Sequence, residues 1–293
     1  MKVTEAHLKQ FEEEGYVVIE RVLTDDDLEP IIQDYIAFID EKARELHSQG
    51  KLVNLYAEEP FETRMARIVE EAPDGMGNTD IGATRRRDTF EFLRNKNLLD
   101  AIEPFVGPEL TCNAISHMRP KMPREDVGFH QDAVFTTQKA HHILQLTVWL
   151  PLMDVDEENG CMQVRPGIHR RKKVYWQYGR DLPEEHTVTL PMKKGDVLFV
   201  HKLTPHGSGL NHTDQVRWSM DLRYQKTGGP SPRPEWPSSI VRSRQDSATE
   251  TKYEAWRDAW AAGLEKTPKQ FHYERPSETT DYTGEMFLSA AVT

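Results

Sequence analysis

The chain opens on a polar run in which Leu8 and Phe11 recur at helical spacing, with Thr4 placed to cap a helix and Gly15 placed to end it. Residues 16–22 then read as a strand. Thr24 and the three aspartates after it form a second N-terminal cap, with acids where the helix dipole favours them. The stripe Leu28, Ile31, Ile32, Tyr35 and Ile36 carries that helix to residue 46. Both elements are expected to buttress a core that lies further along.

Between residues 50 and 84 the periodicity fades, and Pro60, Pro73, Gly75 and Gly77 interrupt it, so the stretch reads as loop with a short helix over 63–71. Loops of this length in compact domains are often lids or binding loops. A helix follows over 95–105, stopped by Gly107, and then a strand over 110–118. From there the pattern changes to short apolar strands at 143–152, 161–165, 197–200 and 217–225, separated by acidic or Gly-Asp turns. Such a series argues for a mainly β fold with flanking α-helices, closed or double-sheeted, rather than a doubly wound α/β fold. After Gly228 the composition turns to Pro, Ser and charge before a last helix over 253–264, where Trp256, Trp260 and Leu264 form a stripe suited to packing on the core. Residues 1–293 are expected to make one domain, with the β core at 108–226 and 227–293 as a C-terminal extension.

Charge narrows the function classes. A formal net charge of −11 disfavours a general nucleic-acid or membrane-surface role, which would need a basic face. Cys112 and Cys161 sit in apolar contexts that suit buried thiols, so a disulfide framework is not expected. No apolar run is long enough to span a bilayer and the first residues lack a signal-peptide core, which points to a cytoplasmic location. The one notable basic cluster runs from His169 to Lys173. It reads either as a solvated loop or as a handle for an anionic substrate.

The candidate chemistry lies in the core block. His130 and Asp132, two residues apart on a strand, would point to the same side and could bind one metal ion together. His206 can supply a third ligand, with His201 five residues earlier as its rival. Two imidazoles and one carboxylate suit iron(II), bound on one face with the other face open to dioxygen. Neither cysteine fits a ligand role. Eleven residues after His206 stands Arg217, a planar cationic fork suited to the far carboxylate of a dicarboxylic co-substrate. On the strand before Pro120, Asn113 shares a face with Ile115 and His117 and could bond the metal-bound carboxylate of that co-substrate.

The HQD tripeptide, the run TVWLPLMDVDEENGCMQVRPGIHR and the run GDVLFVHKLTPHGSGLNHTDQVRWSMDLRY occur in that order. Together with the opening QFEEEGYVVIERVLTDDDLEPI they resemble the phytanoyl-CoA dioxygenase family of iron(II)- and 2-oxoglutarate-dependent oxygenases. The resemblance implies a double-stranded β-helix, the jelly-roll or cupin-like barrel, with Fe(II), 2-oxoglutarate and O2 as cofactors and co-substrates and ascorbate as a reductant. It selects His206, in its PHGSG context, over His201 as the distal ligand. It also implies that Arg217 clamps the distal carboxylate of 2-oxoglutarate with Ser208 beside it, and that Trp149 lines the same pocket, one residue later than the family spacing from the first histidine. Because Asp132 is present, where halogenating relatives carry a small residue, hydroxylation of an unactivated carbon of a small-molecule substrate is expected, an anionic one if the basic run is its handle, with release of succinate and CO2. Desaturation, epimerisation or ring formation by the same oxidant is the alternative, and a non-catalytic ligand-binding barrel is the alternative from another class.

Overall fold

The computed structural model describes residues 2–176, 181–267 and 278–286. Helix α1 (Glu5–Glu14) is capped by Thr4, whose hydroxyl accepts from the His7 amide, and it ends at Gly15 in the left-handed region (φ 80°). Gly15 is required there for a second reason: a Cβ would run into Thr204 and His169. Strand β1 (Tyr16–Ile19) follows, then α2 (Asp25–Ser48), capped by Thr24 with Asp27 bonding back to complete a capping box. Helices α3 (Phe61–Glu71), α4 (Ile81–Thr84), α5 (Arg87–Phe92) and α6 (Lys96–Val106) complete the N-terminal half.

The strands are β2 (Leu110–Cys112), β3 (His117–Lys121), β4 (Val127–His130), β5 (Gln145–Pro151), β6 (Met162–Val164), β7 (Lys173–Val174), β8 (Val188–Leu190), β9 (Val197–His201), β10 (His206–Ser208), β11 (Arg217–Lys226) and β12 (Ser239–Arg242). Helix α7 (Tyr253–Lys266) and strand β13 (Thr280–Asp281) end the described chain. A seven-stranded antiparallel sheet has the order β1-β9-β5-β11-β2-β12, with β3 also paired to β11, and a second sheet has the order β4-β10-β6-β8. The two sheets face each other without closing into a barrel. This is the mainly β, double-sheeted arrangement with flanking helices that the strand pattern implied.

Alternation along the strands sorts the side chains into two layers. One face of the large sheet, including Val17, Leu146, Val148, Phe199, Trp218, Met220, Leu222 and Tyr224, forms a single core with α2 and α6. Trp218 is fully buried and stacks on Phe61 with ring centroids 4.5 Å apart. Burial of a side chain of this size stabilises by roughly 2–3 kcal/mol. Between the sheets, Tyr16, Trp149, Met162, Val164, Leu198 and Val200 make a smaller apolar cluster. The β5–β11–β3 side of that interior is polar instead.

Three expectations need correction. The strand expected at 110–118 is broken into β2 and β3, because Asn113 turns the chain: its side-chain oxygen accepts from the Ile115 amide and its carbonyl accepts from Ser116. The stretch 50–84 carries the expected short helix as α3, but the rest is not free loop: Ile81–Thr84 is helical, and Leu52, Met76 and Ile81 are buried in the main core with Met65 and Ile68 of α3. His130 closes β4, but Asp132 begins a 3-10 turn (Asp132–Phe135) rather than continuing the strand. The C-terminal extension pairs β12 with β2 and packs Trp256 and Trp260 into the core, as their spacing suggested. Its residues 268–277 and 287–293 lie outside the described residues.

Candidate metal and co-substrate site

His130, Asp132 and His206 come together, with one ligating atom of each within 4.8 Å of the others. Sheet register builds half of this arrangement, because His206 on β10 stands directly opposite His130 on β4. Gly207 permits the approach, since a Cβ there would meet the Val127 carbonyl oxygen at 2.6 Å. Each imidazole is oriented by backbone: His130 Nδ1 lies 2.9 Å from the Gly128 carbonyl and His206 Nδ1 2.9 Å from the Thr204 carbonyl. A carbonyl only accepts, so both Nδ1 atoms carry the proton and both Nε2 lone pairs are available. Those Nε2 atoms lie 3.9 and 3.7 Å from Asp132 Oδ1. Burial, then the neighbouring His206, pushes the His130 imidazole down to about 4, so it is neutral and ready to ligate at ordinary pH.

Asp132 is held on both oxygens. Thr147 Oγ1 on β5 donates to Oδ2, and Arg223 Nη2 on β11 donates to Oδ1 at 2.8 Å. Burial alone would raise this carboxyl, but the Arg223 charge and the two histidines hold it well below the usual carboxylate range. Arg223 also grips the partly exposed Asp221, which makes an Asp132–Arg223–Asp221 chain. His201 takes no part: its Nδ1 accepts from the Leu203 amide, and its ring packs near Phe11 and His169.

At the other end of the same interior face stands Arg217, buried, its guanidinium carbon 5.2 Å from the centroid of Trp149. Nη1 donates to Ser219 Oγ at 3.2 Å, and Nε has no hydrogen-bond partner. Across the β3–β11 ladder, Arg217 stands opposite Lys121, whose Nζ donates to Ser208 Oγ at 2.8 Å and to the carbonyls of Gly160 and Gly209. Burial, and then the Arg217 charge, pushes the Lys121 amine down to about 8. Neither cation forms an ion pair among the described residues. Two buried, adjacent cations with an unmatched N–H are a costly arrangement unless an anion is meant to lie between them.

Six of the seven sequence-derived candidates therefore gather around one interior, with His130, Asp132 and His206 at one end of it and Arg217, Ser208 and Trp149 at the other. Asn113 is the exception, buried where its amide nitrogen lies 3.3 Å from Gln225 Oε1 and its oxygen serves the turn already described. It is a structural residue by its contacts. Sequence reasoning missed Lys121, Thr147 and Arg223. A signal for Arg223 existed: in β11 the positions Arg217, Ser219, Asp221, Arg223 and Gln225 are polar while Trp218, Met220, Leu222 and Tyr224 are apolar, and all but Asp221 are buried. The basic run from His169 to Lys173 meets the ligand segment through the Lys173 carbonyl, which accepts from Gln131 Nε2, and three of its side chains have partners of their own. His169 is buried against the Glu12 carbonyl, Arg171 pairs with Glu185 and Lys173 with Asp281.

The phytanoyl-CoA dioxygenase family model matches residues 11–219, which spans all three candidate ligands and Arg217. The chain belongs to the phytanoyl-CoA dioxygenase family. The peroxisomal phytanoyl-CoA dioxygenase of Rattus norvegicus is 26% identical over 241 residues, covering 74% of this chain and 66% of that protein. The chain thus spans just under two thirds of the length of that relative. A methylphosphonate hydroxylase of Gimesia maris is 32% identical over 100 residues, 32% of this chain and 37% of its own. Among solved structures, the apo form of the non-heme monooxygenase ThoJ shares the fold with a TM-score of 0.60 at 19% identity, covering 89% of this chain and 94% of that one. The epimerase SnoN, solved with Fe3+, alpha-ketoglutarate and nogalamycin RO, aligns with a TM-score of 0.53 at 19% identity, covering 97% and 96%. No helix among the described residues is long and apolar enough to cross a membrane.

Proposed function

We propose that this family member is an iron(II)- and 2-oxoglutarate-dependent oxygenase that hydroxylates a carbon of a small molecule. One observation carries the reading: a carbonyl-oriented His130–His206 pair with a fixed Asp132 shares an interior with the buried cations Lys121 and Arg217, which form no ion pair among the described residues. The donor set fits iron(II), and the two cations fit the far carboxylate of a dicarboxylate.

In this reading His130, Asp132 and His206 hold the ion on one face, and Thr147 and Arg223 keep the carboxylate from rotating. Arg217, Lys121 and Ser208 hold the distal carboxylate of 2-oxoglutarate, and Trp149 walls the co-substrate on the apolar side. When bound, iron and 2-oxoglutarate supply the oxidant: one atom of O2 enters succinate as CO2 leaves, and the other is inserted into a substrate C–H bond. The protein's share is placement and exclusion of water. Phe135, edge-on to His130 with ring centroids 5.5 Å apart, covers one side of the open face.

Epimerisation is the second reading, favoured by the likeness to SnoN in fold. The test is succinate release from 2-oxoglutarate with iron(II), ascorbate and O2, stimulated by candidate small molecules, followed by product mass. A gain of one oxygen supports hydroxylation, an unchanged mass supports epimerisation, and a loss of two hydrogens supports desaturation or ring formation. Failure of the iron- or nickel-loaded protein to bind 2-oxoglutarate would overturn the oxygenase reading itself.

A further inference from the structure

Strand β3 presents His117, Arg119 and Lys121 on one face, opposite Asp221, Ser219 and Arg217 of β11. Lys121 reaches Ser208 on the facing sheet, so this face is the one turned toward the site. Arg119 occupies its middle. Unlike Lys121 and Arg217 it is exposed, on the open edge of the sheet.

The acids around Arg119 are already committed. Asp221 is gripped by Arg223, while Asp80 accepts from the backbone amides of Ile81 and Met118 and lies 2.6 Å from His117 Nδ1. The Arg119 charge is nevertheless close enough to help hold both Asp80 and Asp221 low and to oppose the charge on Arg217. Among the described residues its guanidinium makes no hydrogen bond and no ion pair. It is thus an exposed fork on the same strand face as Lys121, two residues away. It lies one residue pair along the ladder from Asp221, about 6–7 Å by the rise of a strand.

We infer that Arg119 binds an anionic head group of the prime substrate, which makes that substrate a small organic acid: a carboxylate, phosphate or phosphonate. The assignment rests on the oxygenase reading, because Lys121 and Arg217 are taken up there by the distal carboxylate of 2-oxoglutarate, which leaves Arg119 for a second anion. It also moves the anion handle from the His169–Lys173 run, whose Arg171 and Lys173 are ion-paired, to the mouth of the site. A planar fork at an exposed strand edge can donate two parallel hydrogen bonds to one carboxylate or phosphonate, and so fix the orientation of the attached carbon chain.

The test uses full-length protein loaded with Ni(II) and 2-oxoglutarate, so that nothing turns over. Calorimetric titration compares butyrate and propylphosphonate with the neutral butyramide. The acids are expected to bind and butyramide is not. Arg119→Gln should weaken the acids by about 10-fold or more, the loss of a charged hydrogen bond. Arg119→Lys should fall between, and the dissociation constant for 2-oxoglutarate should move by less than about twofold in both, against a much larger shift for Arg217→Lys. Equal binding of butyramide, unaltered acid binding by Arg119→Gln, or no acid binding by the parent protein would overturn the assignment. A rise in the 2-oxoglutarate constant matching that of Arg217→Lys would overturn it too, by placing Arg119 in the co-substrate pocket. If the parent protein binds no 2-oxoglutarate, the oxygenase reading fails first and this assignment with it.

Discussion

Arg223 Nη2 donates to Asp132 Oδ1 at 2.8 Å while the same guanidinium grips Asp221, so the carboxylate of the H-x-D motif is positioned by a residue ninety-one positions later in the chain. The fork neutralises a buried acid and sets its direction at once. Arg223→Lys should keep the charge but lose the two-point grip, and divalent-metal affinity should fall by about 10- to 100-fold, the usual cost of losing an outer partner of a metal ligand. Arg223→Met would leave Asp132 buried without its cation, destabilising the fold by about 3–5 kcal/mol. Titration with Ni(II) and thermal melting separate the two effects. An unchanged metal affinity in the Lys variant would reduce Arg223 to packing.

The identity of the third ligand is testable against its rival. His130→Ala, Asp132→Ala and His206→Ala should each abolish turnover and lower metal affinity, because each removes a donor from a three-point set. His201→Ala should bind metal as the parent does. It removes a buried ring that accepts from the Leu203 amide, so it should instead lower the melting temperature. The reverse pattern would exchange the roles of the two histidines.

If Lys121 holds 2-oxoglutarate as proposed, binding of that co-substrate should depend on pH. The Lys121 amine, brought down to about 8, is charged below that pH and neutral above it. Affinity for 2-oxoglutarate should therefore fall as pH rises through about 8, by direct binding measurement, and Lys121→Met should bind more weakly below pH 8 with a flatter profile. Arg217, brought to about 10 by burial, stays charged across the same range and should not contribute. A profile that stays steep in Lys121→Met would assign the titration to another group.

Lys202 links pH to stability. It is fully buried, its Nζ donates to the carbonyls of His141 and Ile143 at 2.8 and 2.7 Å, and burial brings the amine down to about 7. The unfolded chain binds this proton up to the ordinary lysine range, so between pH 7 and about 10 the unfolded state holds more protons and stability rises with pH. Measured against Lys202→Met by denaturant unfolding, the parent should be relatively more stable at pH 9 than at pH 7. The opposite trend would mean the buried amine keeps its proton.

Much of the fold was legible in the sequence because it rests on local patterns. Thr4, Gly15 and Thr24 act through neighbours three or four residues away, and the apolar stripe of α2 is a property of its own periodicity. The H-x-D spacing and the later His206 and Arg217 were likewise visible as residue types in order. What only the tertiary structure decided were the partners. Lys121 meets Arg217 and Ser208 through the pairing of β3 with β11 and the facing of the two sheets, and Arg223 meets Asp132 across a similar separation. A charge in the sequence carries no sign of whether it will face water or a buried ion, because that is set by which strands pair and in which register. The open edge of β3 is the plainest case: Arg119 and Lys121 are two residues apart on one face, yet only the packing of the second sheet buries Lys121 and leaves Arg119 exposed.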